Sequence, residues 1–142
     1  MSRAKGSNTR IVLVTCPTLA LARKIARAVV CKRLAACVNV ARSPVESFYI
    51  WKGKLESARE HLLFIKTTVQ RLSPLEREVQ RLHTYAVPEF IAFPITEGSP
   101  EYLAWLGETT ATPSKETASG QPQCSTANRR GRVAQAASNK LT

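Results

Sequence analysis

"VESFYIWKGKLESAREHLLFIKTT" runs from Val45 to Thr68. In its first arm Val45, Tyr49 and Trp51 alternate with Phe48 and Ile50, so apolar groups fall on both faces of an extended strand. Lys52-Gly53-Lys54 reads as a turn. Leu55–Thr68 returns as a second arm, strongest at "HLLFIKTT". The two arms predict an unusually long β-hairpin. Bare strand edges and apolar faces of that length are a hazard in a monomer. Burial against further copies of the chain is the expected remedy, in a closed homo-oligomer paired through its hairpins. Pro44 cannot donate to a ladder, so an edge strand or a bulge is expected just before Val45.

On the N-terminal side, "LAACVNV" (Leu34–Val40) reads as a strand with Ala36, Val38 and Val40 on one side and Cys37 and Asn39 on the other. Before it, Leu21, Ala22, Ile25, Ala28 and Val29 form one face of a helix over Leu19–Lys32, capped by Thr18. Arg23, Lys24, Arg27 and Lys32 form its solvated face. Ile11–Thr15, "IVLVT", is a strand buried on both faces, ended by Cys16-Pro17. On the C-terminal side, Ser73-Pro74-Leu75-Glu76 has the form of a capping box with proline at the first helical position. That helix ends near His83, and Phe90–Ile95 is a fourth strand. Gly98-Ser99-Pro100 starts a short last helix with Tyr102, Leu103, Trp105 and Leu106 available for packing. The order β-α-β-β-α-β predicts an α+β, ferredoxin-like antiparallel sheet with both helices on one face.

Composition sets limits on function. The net charge of +11 is concentrated at the ends: residues 1–10 carry +3, residues 111–142 carry +4, and the hundred residues between them only +4. No basic stripe interleaved with aromatics appears in the middle, so no specific nucleic-acid binding is expected. No apolar run reaches membrane-spanning length, and MSRAKGSNTR lacks the apolar stretch of a secretory signal. A cytoplasmic location follows as an expectation, with Cys16, Cys31, Cys37 and Cys124 reduced. No pair is spaced C-x-x-C; Cys31 and Cys37 read as small buried hydrophobes and Cys124 as exposed. Residues 1–9 are expected to be a flexible N-terminus and 10–110 the folded domain. Residues 111–142, with one Val, one Leu and no aromatic, are expected to be a disordered basic tail able to contact an acidic partner.

Chemistry-bearing side chains gather in "RLHTYAVPEFIAFPI" (Arg81–Ile95), where His83, Tyr85 and Glu89 surround Pro88. His83 either faces the negative end of its helix or ligates a metal through neutral imidazole. Cys16, at a strand end, is either a buried cysteine or a soft ligand of the kind that suits Cu(I). Lys66 stands inside an apolar strand; it either snorkels to solvent or meets Glu60 or Glu89 in a cleft between subunits. Tyr85, Trp51 and Cys37 are further candidates for lining that cleft. No Ser/His/Asp set, phosphate loop or pair of catalytic acids stands out, and the chain has no aspartate, so no catalysis is expected.

"LAACVNV", "SFYIWKGKLE", "FIKTT", "HTYAVPEFIAFPI" and "GSPEYLAWL" together resemble the CutA divalent-cation tolerance family, over about residues 10–108. The resemblance implies a ferredoxin-like subunit in a tight homotrimer. It also implies a cytoplasmic role in tolerance of copper and other divalent metals, and no established catalysis. Of the family's metal-binding positions it carries over His83 alone. Val14 and Leu82 stand where some metal-binding members have a cysteine and a paired histidine. Ala86 replaces a carboxylate and Thr84 a proline. A trimeric small-ligand sensor or signalling scaffold, resembling the nitrogen-regulatory PII proteins, is the alternative.

Overall fold

A computed structural model describes residues 4 and 5, 8–112 and 124. In chain order the elements are β1 (Ala4–Lys5), β2 (Thr9–Cys16), α1 (Leu19–Cys31), β3 (Cys37–Val40), β4 (Val45–Trp51), β5 (Lys54–Thr68), a 3-10 turn (Val69–Arg71), α2 (Leu72–Leu82), β6 (Ile91–Pro94), β7 (Glu97–Gly98) and α3 (Pro100–Thr110). β5 is the spine. Its upper half pairs with β2 on one side, from Cys16↔His61 to Thr9↔Thr68, and with β3 on the other, from Val40↔Leu63 to Cys37↔Lys66. β6 closes the far edge, giving the order β3-β5-β2-β6 with antiparallel pairing throughout, which is the ferredoxin-like arrangement.

The lower half of β5 leaves the sheet and pairs with β4 alone, from Val45↔Glu60 to Trp51↔Lys54. The expected long hairpin is therefore present as a two-stranded arm. Pro44 falls in the break between β3 and β4, where the Ala41 carbonyl accepts from His61 Nδ1 at 3.0 Å. The arm's loop is two residues long, Lys52-Gly53, and both have positive φ (49° and 78°), as a tight hairpin turn requires.

Alternation along the strands separates two faces. Val12, Val14 and Cys16 of β2 and Leu63 and Ile65 of β5 point at the helices. There they pack on Ala22, Ile25 and Val29 of α1 and Leu75 and Val79 of α2, and all are fully buried. Thr18 caps α1, its side chain accepting from the Leu21 amide at 3.1 Å. Lys32, just past α1, donates to Glu78 Oε1 at 2.9 Å, and Arg81 holds the same carboxylate at 2.6 Å, which ties the two helices together. The opposite face is only partly covered, by α3: the Thr68 and Thr110 hydroxyls meet there at 3.4 Å. Phe64, Ile91 and Phe93 remain exposed large apolar groups.

Three expectations need correction. Ser73 is not the cap of α2: the 3-10 turn runs straight into the helix, Arg71 takes the cap position, and no side chain closes it. Pro74 then lies in the first turn, where its missing N–H costs nothing. Residues 4 and 5, expected to be flexible, pair with Glu97 and Gly98. Cys31 is neither free nor fully buried but joins Cys124 in a disulfide, leaving Cys16 and Cys37 free. The expected disorder of the tail falls mostly on residues outside those described.

Candidate functional site

β2 ends at Cys16, α2 ends at Leu82, and the arm departs from the sheet near Glu60, all at one end of the domain. Between them lies a cleft of about 640 Å³. Thr15 and Glu60 form its inner part. Thr84–Val87 and Glu89 form one wall, and Ser47, Phe48, Tyr49 and Trp51 of the arm form the other. Glu60 is buried; it immediately precedes His61, the β5 residue that pairs with the end of β2, and the Tyr85 hydroxyl donates to its Oε2 at 3.1 Å. Burial, and then the Glu60 charge, push the Tyr85 phenol up to about 12, so it remains a donor at neutral pH.

His83 adjoins this cleft without lining it. Its backbone N–H closes α2 on the Val79 carbonyl at 2.9 Å. Nδ1 accepts from the Tyr85 amide at 3.0 Å, and Nε2 lies 2.8 Å from the Thr15 carbonyl. An amide can only donate, so Nδ1 carries no proton and Nε2–H donates to Thr15. Both ring nitrogens are thus engaged, and His83 works as a brace between the end of α2 and the end of β2. The Tyr85 ring packs on it with centroids 4.8 Å apart. Cys16 lies on the helix-facing side, fully buried. Burial first, and Glu60 second, push its thiol up to about 11, which keeps it protonated and a poor ligand. Among the described residues no three His, Cys, Asp or Glu side chains are placed to hold a metal ion.

Of the cleft candidates read from the sequence, Glu60, Glu89, Tyr85 and Trp51 do come together. Lys66 and Cys37, expected in a cleft between subunits, do not join them within one chain. They oppose each other at the other end of the sheet, and Lys66 is six residues, or roughly 20 Å, along β5 from Glu60. Thr15, Ser47, Phe48, Tyr49 and Val87 also line the cleft. The only sequence signal for them is position, at the end of the first strand and beside Trp51.

The profile of the CutA1 divalent ion tolerance protein family matches residues 10–109. The chain belongs to that family. It is 47% identical over 100 residues to "Divalent-cation tolerance protein CutA" of Thermus thermophilus, covering 70% of this chain and 96% of that one. It is equally 47% identical over 100 residues to "Protein CutA, chloroplastic" of Arabidopsis thaliana, where the match spans 70% of this chain but 54% of the plant protein. Among solved structures, the Thermus thermophilus divalent cation tolerance protein superposes with a TM-score of 0.71 at 46% identity, covering 72% of this chain and 99% of that one. CutA of Synechococcus elongatus gives 0.72 at 33% identity, covering 78% and 96%.

Proposed function

We propose that the chain acts in the cytoplasm as a homotrimeric divalent-cation tolerance protein that binds or responds to metal ions, copper among them, without catalysing a reaction. The observation that carries this reading is the family match along nearly the whole folded domain. The apolar arm and the half-covered sheet face support self-association, because exposed patches of this kind mark interfaces. For His83 to ligate a metal it has to release the Thr15 carbonyl or the Tyr85 amide, so metal uptake involves rearranging the 83–85 turn. The positive charge of residues 111–142 suits an acidic partner.

Calorimetric titration of wild type and His83→Ala with Cu(I), Cu(II) and Zn(II) tests the metal reading. Wild type is expected to bind at least one ion more tightly than the variant. If neither binds any of them below millimolar concentration, metal binding by this chain is ruled out. Light scattering is expected to return about three times the 15.6 kDa chain mass. A stable particle of one chain mass would remove the trimer.

A further inference from the structure

Glu60 is only 7% exposed. The hydrogen bond to its carboxylate comes from a neutral hydroxyl, that of Tyr85. Lys32 and Arg81 are both committed to Glu78, and no described lysine or arginine forms an ion pair with Glu60. A carboxylate this deep ordinarily meets a cation, because a hydroxyl fills a lone pair but leaves the charge unmatched. The cleft around it offers a second carboxylate, Glu89, and aromatic side chains in Phe48, Tyr49, Trp51 and Tyr85. Aromatic faces attract cations but supply no coordinating lone pair, so such walls suit a charged organic group better than a bare metal ion.

We propose that this cleft binds an organic cation, an ammonium group on an apolar body, with Glu60 and Glu89 taking the charge and Trp51, Phe48 and Tyr85 enclosing the body. The cleft volume is of the size that accommodates small-molecule ligands. The inference rests on the cleft being a site and is independent of metal binding through His83.

The test titrates the full chain, in its native assembly, with benzylammonium chloride and separately with the neutral benzyl alcohol. Calorimetry and tryptophan fluorescence report binding. Benzylammonium is expected to bind at least about tenfold more tightly than the alcohol, the ratio that one matched charge readily supplies. Glu60→Gln is expected to erase that preference. Trp51→Leu, at a side chain more than half exposed within one chain, is expected to weaken benzylammonium several-fold while light scattering returns the same assembly as wild type. If the Glu60 variant fails to fold, the Trp51 variant decides the matter alone. Equal binding of the two probes, or undiminished benzylammonium binding by both variants, overturns the proposal. So does binding of neither probe by wild type; benzylammonium binding by Lys66→Met would in that case show that Lys66 of a second copy answers Glu60. Each of these failures leaves the metal titrations unaffected, so the two readings fall separately.

Discussion

At the scale of single residues, two carboxylates show how environment sets role. Glu78 is clamped by Arg81 first and Lys32 second, and its carboxyl is held down to about 2. Glu60 meets the Tyr85 hydroxyl in place of a cation. A carboxyl depressed in the folded state contributes stability above its unfolded value, about 4.3, and loses it as pH falls toward the folded value. Chemical denaturation is therefore expected to show the advantage of wild type over Glu78→Gln shrinking between pH about 5 and about 2. A difference constant across that window would contradict the clamp. Cysteine chemistry gives a second expectation. Unfolded but unreduced protein should present two thiols to a thiol reagent, Cys16 and Cys37, and four after reduction. In the native state Cys16 should lag, since burial holds its thiol up to about 11. Four thiols before reduction would contradict the Cys31–Cys124 bond. The sequence could not show this bond, because 93 residues separate its partners and pairing depends on where the chain returns. Glu60, Tyr85, Trp51 and Glu89, which the sequence suggested together with Lys66 and Cys37 for a cleft between subunits, line one cleft of the single chain. The sequence could not show that both nitrogens of His83 are already engaged, since that depends on a carbonyl 68 residues away.

At the scale of elements, the hairpin arm was legible because period-two alternation and a glycine turn are local signals, although Lys54, expected in the turn, already pairs with Trp51 as the first residue of β5. Its turn is also where a single change is easiest to interpret. A side chain at Gly53 meets nothing within 4 Å, yet φ is +78°. Gly53→Ala should therefore cost about 1 kcal/mol by backbone strain alone, seen as a lower thermal midpoint, and Gly53→Asn less, because asparagine tolerates this region better. Equal midpoints for glycine and alanine would mean the turn rearranges without cost. The start of α2 departs from its sequence pattern for a physical reason. Ser73, Pro74 and Glu76 look like a cap in isolation, but the backbone N–H of Val69 is already tied to the Asn8 carbonyl at 2.9 Å, and the 3-10 turn that follows sets the helix two residues earlier. A tertiary bond overrode a local preference. The pairing of residues 4–5 with 97–98 was equally illegible, since two-residue strands carry no periodicity.

At the scale of the whole molecule, the order of strands and helices fixed the sheet, while the half-covered second face left the domain incomplete as a single unit. Seven residues of β5 pair only with β4, so the arm reaches about 23 Å beyond the sheet. Phe48, Ile50 and Leu55 on it are each about two-thirds exposed. Under the proposed assembly, this geometry makes durability a collective property. Contacts made by the arm are intermolecular, so dilution acts as a denaturant, and the thermal midpoint should climb as protein concentration rises. A midpoint unchanged over a hundredfold concentration range would mean the arm gains no stabilising contact from other copies. Under the proposed assembly, a cell making little of this protein holds a less robust form than one making much, with no change in sequence.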